Sequence, residues 1–124
     1  MIMKKDAGSR EDSVKNIVLT FLNALNDEDF EKARQCLSDN MTFDGVLGHR
    51  DGAEIYISDM KKMKFKYSIK KTFEDENDVC IFYDIDMSGK KIFTCGWYIV
   101  NNKKIKSIKV VFDPRPILEQ AEKK

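Results

Sequence analysis

A chain of 124 residues suits one domain, large enough to bury roughly two-thirds of its unfolded surface without disulfides or metal. Its 22 Lys and Arg balance 21 Asp and Glu, so no net field draws it to nucleic acid or to an anionic membrane. No apolar run reaches the roughly 20 residues that span a bilayer, and Cys36, Cys80 and Cys95 lack C-x-x-C spacing, which predicts reduced thiols. The charged start, Met1 to Asp6, is followed by no apolar segment of the secretory kind. A cytoplasmic location is the expectation.

Ser9 with Asp12 reads as a capping box, in which a hydroxyl satisfies a free amide at a helix start. Val14, Ile17, Val18, Phe21, Leu22 and Leu25 then recur at helical spacing and define one buried stripe. Asn26-Asp27 is the expected cap of a second helix that buries Phe30, Ala33 and Leu37, with Asp27, Glu28 and Asp29 at its positive end. Met41-Thr42-Phe43 reads as a short strand ended by an Asp44-Gly45 turn. Asp51-Gly52-Ala53-Glu54 reads as an acidic cap to a third helix with Ala53, Tyr56, Met60 and Met63 on its apolar side.

Beyond Lys64 the period of the pattern changes to two. Four strands are expected, over 65–73, 79–87, 91–100 and 104–112. Asp75-Glu76-Asn77-Asp78, Ser88-Gly89 and Asn101-Asn102 lie between them as turns, which makes neighbours antiparallel. Asp113-Pro114-Arg115-Pro116 ends the last strand, because proline cannot donate to the ladder. Helices first and a meander afterwards predict one α+β domain over 1–124, with its core over about 12–116.

Strand faces add a further expectation. Val79, Ile81, Tyr83, Ile85 and Met87 share one side of their strand. In the next strand Phe93, Cys95, Trp97 and Ile99 alternate with Ile92, Tyr98 and Val100, so both sides are apolar. In the last, Ile108, Val110 and Phe112 lie opposite Ile105 and Val111. A sheet with one wet face alternates more cleanly. The outer face is therefore expected to be covered by a second copy, with Phe82 and one parity of the 92–100 strand in a homodimer interface.

Particular residues carry a family resemblance. The segment from Thr20 through Asn26-Asp27-Glu28-Asp29 to Phe30 is similar to the first helix and acidic turn of ketosteroid isomerase-like and SnoaL-like proteins. Phe43-Asp44-Gly45-Val46-Leu47-Gly48, Gly52 and the closing Val110 to Pro116 resemble SnoaL-like proteins of the nuclear transport factor 2-like superfamily. The resemblance covers roughly residues 12–116. It implies a cystatin-like cone, with N-terminal helices folded over a curved antiparallel sheet around an apolar pocket. It does not fix a function, because fold alone never does.

The steroid isomerases of that superfamily use a carboxylate base with an oxyanion hole of one tyrosine and one protonated acid. Here Phe21 stands in place of the first-helix tyrosine, and the second acid falls near Gly96 to Tyr98, none of them acidic. Loss of a single oxyanion donor costs about 2.7–4 kcal/mol, which argues against that reaction. Asp44 retains two readings. It is a lone carboxylate poised as general base of an isomerase or cyclase, or it is simply a turn residue. His49, the only histidine, is either its acid–base partner or a solvated loop side chain holding Asp51. With no second histidine or paired cysteines, no metal or other cofactor is expected.

Lysines 61, 62, 64, 66, 70 and 71 interleave with Met63, Phe65, Tyr67 and Ile69, a pattern that serves either nucleic acid or the wet face of an edge strand. Balanced charge favours the edge strand. Phe21, Tyr56, Met60, Tyr83, Ile85, Trp97, Ile108 and Phe112 are the expected pocket lining, with Tyr83 and Trp97 offering polar tips. The leading expectation is a binder of a small, mostly hydrophobic molecule. An enzyme using Asp44 and a protein-interaction module are the alternatives.

Overall fold

The Ser13 hydroxyl accepts the Asn16 amide at 3.2 Å, which caps helix α1 over Val14–Asn26. The computed structural model describes residues 13–122, so the box expected at Ser9 and Asp12 lies outside the described residues. Val18, Phe21, Leu22 and Leu25 are all buried on one side of α1, as their spacing requires. Each contributes roughly 1.5–3 kcal/mol relative to exposure.

Helix α2 spans Phe30–Gln35 and is capped by Asp29, whose carboxylate accepts the Lys32 amide at 3.2 Å. The expected cap at Asn26-Asp27 is corrected, because the Asn26 side chain is taken by a different partner. It accepts the Tyr67 N–H at 2.7 Å and donates to the Tyr67 carbonyl at 2.9 Å, pinning the end of α1 to a strand. Leu37 is buried as expected, but it opens strand β1, Leu37–Gly45, rather than lying on the helix.

Strand β1 includes Asp44 and ends at Gly45, so the turn expected at Asp44-Gly45 falls instead at Val46-Leu47. It forms a hairpin with β2, Gly48–Asp51, in which Asp44 sits opposite His49. Helix α3, Ala53–Met63, follows at once and buries Ala53, Tyr56, Ile57 and Met60, while Met63 stays exposed. Gly52 precedes it at φ +103, a conformation that favours glycine, and donates its amide to the Met41 carbonyl at 2.8 Å. Asp51 does not cap this helix, because its carboxylate bonds His49 instead.

Strands β3, Lys66–Asp75, β4, Asp78–Met87, β5, Lys90–Asn101, and β6, Lys104–Phe112, make the expected antiparallel meander. The six strands form one curved, open sheet in the order β2-β1-β6-β5-β4-β3, antiparallel except where β1 runs parallel to β6. A last helix, α4, Arg115–Glu122, follows Pro114. β3 is one of the two edge strands, and its lysines lie exposed there.

The inner face of the sheet carries Ile81, Tyr83, Ile92, Tyr98 and Val100 beneath the helices. Ile105 was expected opposite Ile108, yet both are buried. The register shift between Ile99↔Ser107 and Val100↔Ile105 returns Ile105 to the inner side.

Candidate functional site

Between the inner sheet face and α3 lies a cavity of about 740 Å³. β4, β5 and β6 supply its floor through Tyr83, Ile85, Tyr98, Val110 and Phe112. Tyr56, Met60 and Met63 of α3 form one wall, and Phe43, Val46 and Leu47 of the β1–β2 hairpin form another. Phe65, Tyr67 and Met87 close the β3–β4 side, and Ile117 of α4 reaches the remaining edge. The walls are held by aromatic contacts, Phe43 on Tyr56 at 5.1 Å and Tyr67 edge-on to Tyr83 at 5.2 Å between centroids.

All four tyrosines of the chain line this cavity. The Tyr83 and Tyr98 hydroxyl oxygens lie 2.6 Å apart and share a hydrogen bond in which either can donate. They meet above Gly96, and a Cβ there would collide with the Tyr83 hydroxyl and stand 3.0 Å from that of Tyr98. Glycine is thus what makes room for the pair. Burial pushes all four phenols well above their ordinary pKa, so they are neutral hydrogen-bonding groups. Among the described residues, charge reaches the cavity only at its α3 side, through Lys62 and Asp59. Arg50 holds the Asp59 carboxylate, its Nε 2.7 Å from Oδ2.

Five of the eight residues expected to line the pocket do so: Tyr56, Met60, Tyr83, Ile85 and Phe112. Phe21 lies behind the wall, with its ring 6.4 Å from that of Tyr56 and 6.5 Å from that of Tyr98, and Ile108 is buried in the core. Trp97 is corrected outright. It projects from the outer face of β5, where its Nε1 donates to Asp78 Oδ1 at 2.9 Å and Lys109 covers its ring. Tyr83 pairs with Thr94 across the β4–β5 ladder, which turns even-numbered β5 residues inward and Trp97 outward. The same parity signals Tyr98, which the sequence reading left out. Tyr67 and the α4 residue Ile117 carried no comparable signal.

Asp44 and His49 come together, but away from the cavity. Phe43 takes the inward position on β1, so the neighbouring Asp44 projects to the other side. Asp44 Oδ1 lies 2.6 Å from His49 Nδ1, and Asp51 Oδ1 lies 2.8 Å from Nε2. Only an imidazolium donates from both ring nitrogens. Accordingly the hydrogen bond to Asp44, then that to Asp51, raises the His49 pKa above 6.5. Neither group is placed to act on a molecule in the cavity. Among the described residues, no three His, Cys, Asp or Glu side chains cluster as a metal site. No helix there is long and apolar enough to cross a membrane.

No protein-family model and no curated protein sequence matches the chain. Solved structures do. An NTF2-like protein of unknown function from Cytophaga hutchinsonii is 49% identical, with a TM-score of 0.85, covering 86% of this chain and 95% of its own. At that identity over nearly the whole domain, the chain belongs to the nuclear transport factor 2-like (NTF2-like) family. An LEH-like epoxide hydrolase of Mycobacterium tuberculosis shares the fold at 21% identity and a TM-score of 0.74, covering 86% of each chain. So does a protein assigned as a SnoaL-like polyketide cyclase from Shewanella putrefaciens, at 10% identity and a TM-score of 0.73, covering 90% of this chain and 86% of its own.

Proposed function

We propose that this NTF2-like protein binds a small, mostly apolar molecule in the cavity between α3 and the sheet. The observation that carries the reading is a concave space of about 740 Å³ walled by aromatic, methionine and aliphatic side chains, with few polar groups. That is the usual composition of a small-molecule site. The alternative of an isomerase or cyclase using Asp44 fares worse, because Asp44 projects away from the cavity and is engaged by His49. Asp59, the one carboxylate in the lining among the described residues, is held by Arg50 and has no acid or histidine among them in the cavity to share a proton.

A thermal-unfolding screen with steroids, polyketides and aromatic acids tests the proposal. A ligand present at a hundredfold excess over its dissociation constant adds about 2.7 kcal/mol of stability. Absence of stabilisation by every class would defeat the binding reading and leave protein interaction as the alternative.

The outer sheet face favours a second proposal, that two copies of the chain pair there. Phe93, stacked on Phe82, is 62% exposed and Val111, opposite Cys95, is 60% exposed, and both share with Trp97 the side of the sheet away from the cavity. Self-pairing of one patch about a two-fold axis is the commonest way to cover such a surface.

A further inference from the structure

Apart from Ser88 and the hydroxyls of Tyr56 and Tyr67, the latter donating to Met60 Sδ, the polar side chains of the cavity stand at two separate places, and their chemistry differs. On the floor, two neutral phenols share one hydrogen bond. Two hydroxyls bonded to each other use one O–H between them, and the second O–H is left to donate elsewhere. No other side chain among the described residues accepts it. The surrounding floor residues Ile85, Val110 and Phe112 are apolar, and no cation lies among them. At the α3 side the charges are Lys62, which has no carboxylate partner among the described residues, and the Arg50–Asp59 pair, which is internally neutralised.

We propose that the ligand is two-ended: an apolar molecule with a neutral hydrogen-bond acceptor, such as a carbonyl, seated on the Tyr83–Tyr98 hydroxyl pair, and an anionic group held at Lys62. The inference deepens the apolar-ligand reading and rests on it. The floor selects a neutral acceptor because a buried carboxylate would lie there without a compensating cation, which is strongly unfavourable. Leaving the free phenol unsatisfied against an apolar group is also unfavourable, so the floor distinguishes a ketone from an alkyl group of the same shape. At the other end Lys62 is exposed, so its attraction for an anion is modest and falls with added salt. Gly96 has a defined part in this arrangement. Any side chain at that position would displace the hydroxyl pair from the floor.

Titration calorimetry with three biphenyl probes tests the proposal. These are 4′-acetylbiphenyl-4-carboxylate, its 4′-ethyl analogue and the methyl ester of the acetyl compound. The wild-type protein should prefer the acetyl acid to the ethyl acid by about two- to twelvefold, the range for one net hydrogen bond. In Tyr83→Phe/Tyr98→Phe, checked for folding by its unfolding transition, that preference should vanish while the ethyl acid still binds. Lys62→Met should abolish the preference for the acid over the ester and spare the preference for acetyl over ethyl. Equal affinity of the acetyl and ethyl acids for the wild-type protein overturns the floor assignment without use of any variant. An acid preference that survives in Lys62→Met overturns the assignment of the anionic end. If the cavity reading itself is wrong, none of the three probes will bind, a different result from binding without discrimination.

Discussion

Replacing Gly96 with alanine is the sharpest perturbation of the cavity floor. The added Cβ would meet the Tyr83 hydroxyl first, then Tyr98 Cε1 at 2.8 Å and the Tyr98 hydroxyl at 3.0 Å. Both rings are buried and packed, Tyr83 against Tyr67 and Tyr98 against Phe21, so neither swings aside freely. Overpacking of this kind costs about 1–3 kcal/mol. Alanine recovers roughly 0.4–1 kcal/mol by narrowing the unfolded ensemble. A net loss of about 1–2.5 kcal/mol is expected, since the obstructing atoms lie on rigid rings. For a domain of this size that lowers the melting temperature by about 3–15 °C. Far-UV circular dichroism during thermal and urea unfolding measures the change.

The mechanism is separable from a general strand effect. In a Tyr83→Phe background the nearest obstructing oxygen is gone, so Gly96→Ala should cost less there than in the wild type. A coupling of about 0.5–3 kcal/mol is the usual range for groups in contact. Strict additivity of the two substitutions, or a neutral Gly96→Ala, would refute the claim that the glycine exists to seat the hydroxyl pair.

Three further outcomes are expected. The His49 imidazole should titrate above pH 6.5 in an NMR experiment, because its pKa is raised by the bonds to Asp44 and Asp51. Its contribution to stability is therefore fully present below about pH 6.5 and is lost as pH rises through the folded-state value; Asp44→Asn should move the titration downward while leaving folding and cavity binding unchanged, and a midpoint at or below 6.5 in the wild type would contradict the clamp. Phe93→Lys should convert a dimer to a monomer in light scattering at micromolar concentration without altering ligand binding, and a wild-type monomer would remove the pairing proposal. Trp97 emission should respond to that dissociation but not to a ligand in the cavity, because the indole lies on the opposite side of the sheet.

The helical stripe of α1 and the four meander strands were legible because each rests on periodicity over many residues. The β1–β2 hairpin was not. Its short strands carry too little pattern, and Asp44-Gly45 has the composition of a turn even though the chain continues as a strand to Gly45. Asn26 misled for a related reason. Asparagine favours a helix cap, but its amide also matches a strand backbone, and Tyr67 took both of its hydrogen bonds. Ile105 was misplaced because a bulge changes parity, and a sequence read in strict alternation has no means of registering the extra residue.

The fate of β5 shows why the site itself was only half visible. On that strand the inward residues between Ile92 and Tyr98 are Thr94 and Gly96, whereas the outward ones are Phe93, Cys95 and Trp97. The outer side is therefore the bulkier and more aromatic of the two, which reverses the rule that large apolar groups mark the interior. Two local demands produce the reversal. The inner side must be small because tyrosines from β4 and from β5 itself arch over it to join their hydroxyls. Among the described residues no helix lies above the outer side, yet it carries rings suited to close packing, such as Phe82 stacked on Phe93 at 5.9 Å. Small residues under a paired hydroxyl and large ones on an open face are opposite in composition but follow from one cause. The sheet has two apolar faces, and composition alone does not say which of them holds the cavity.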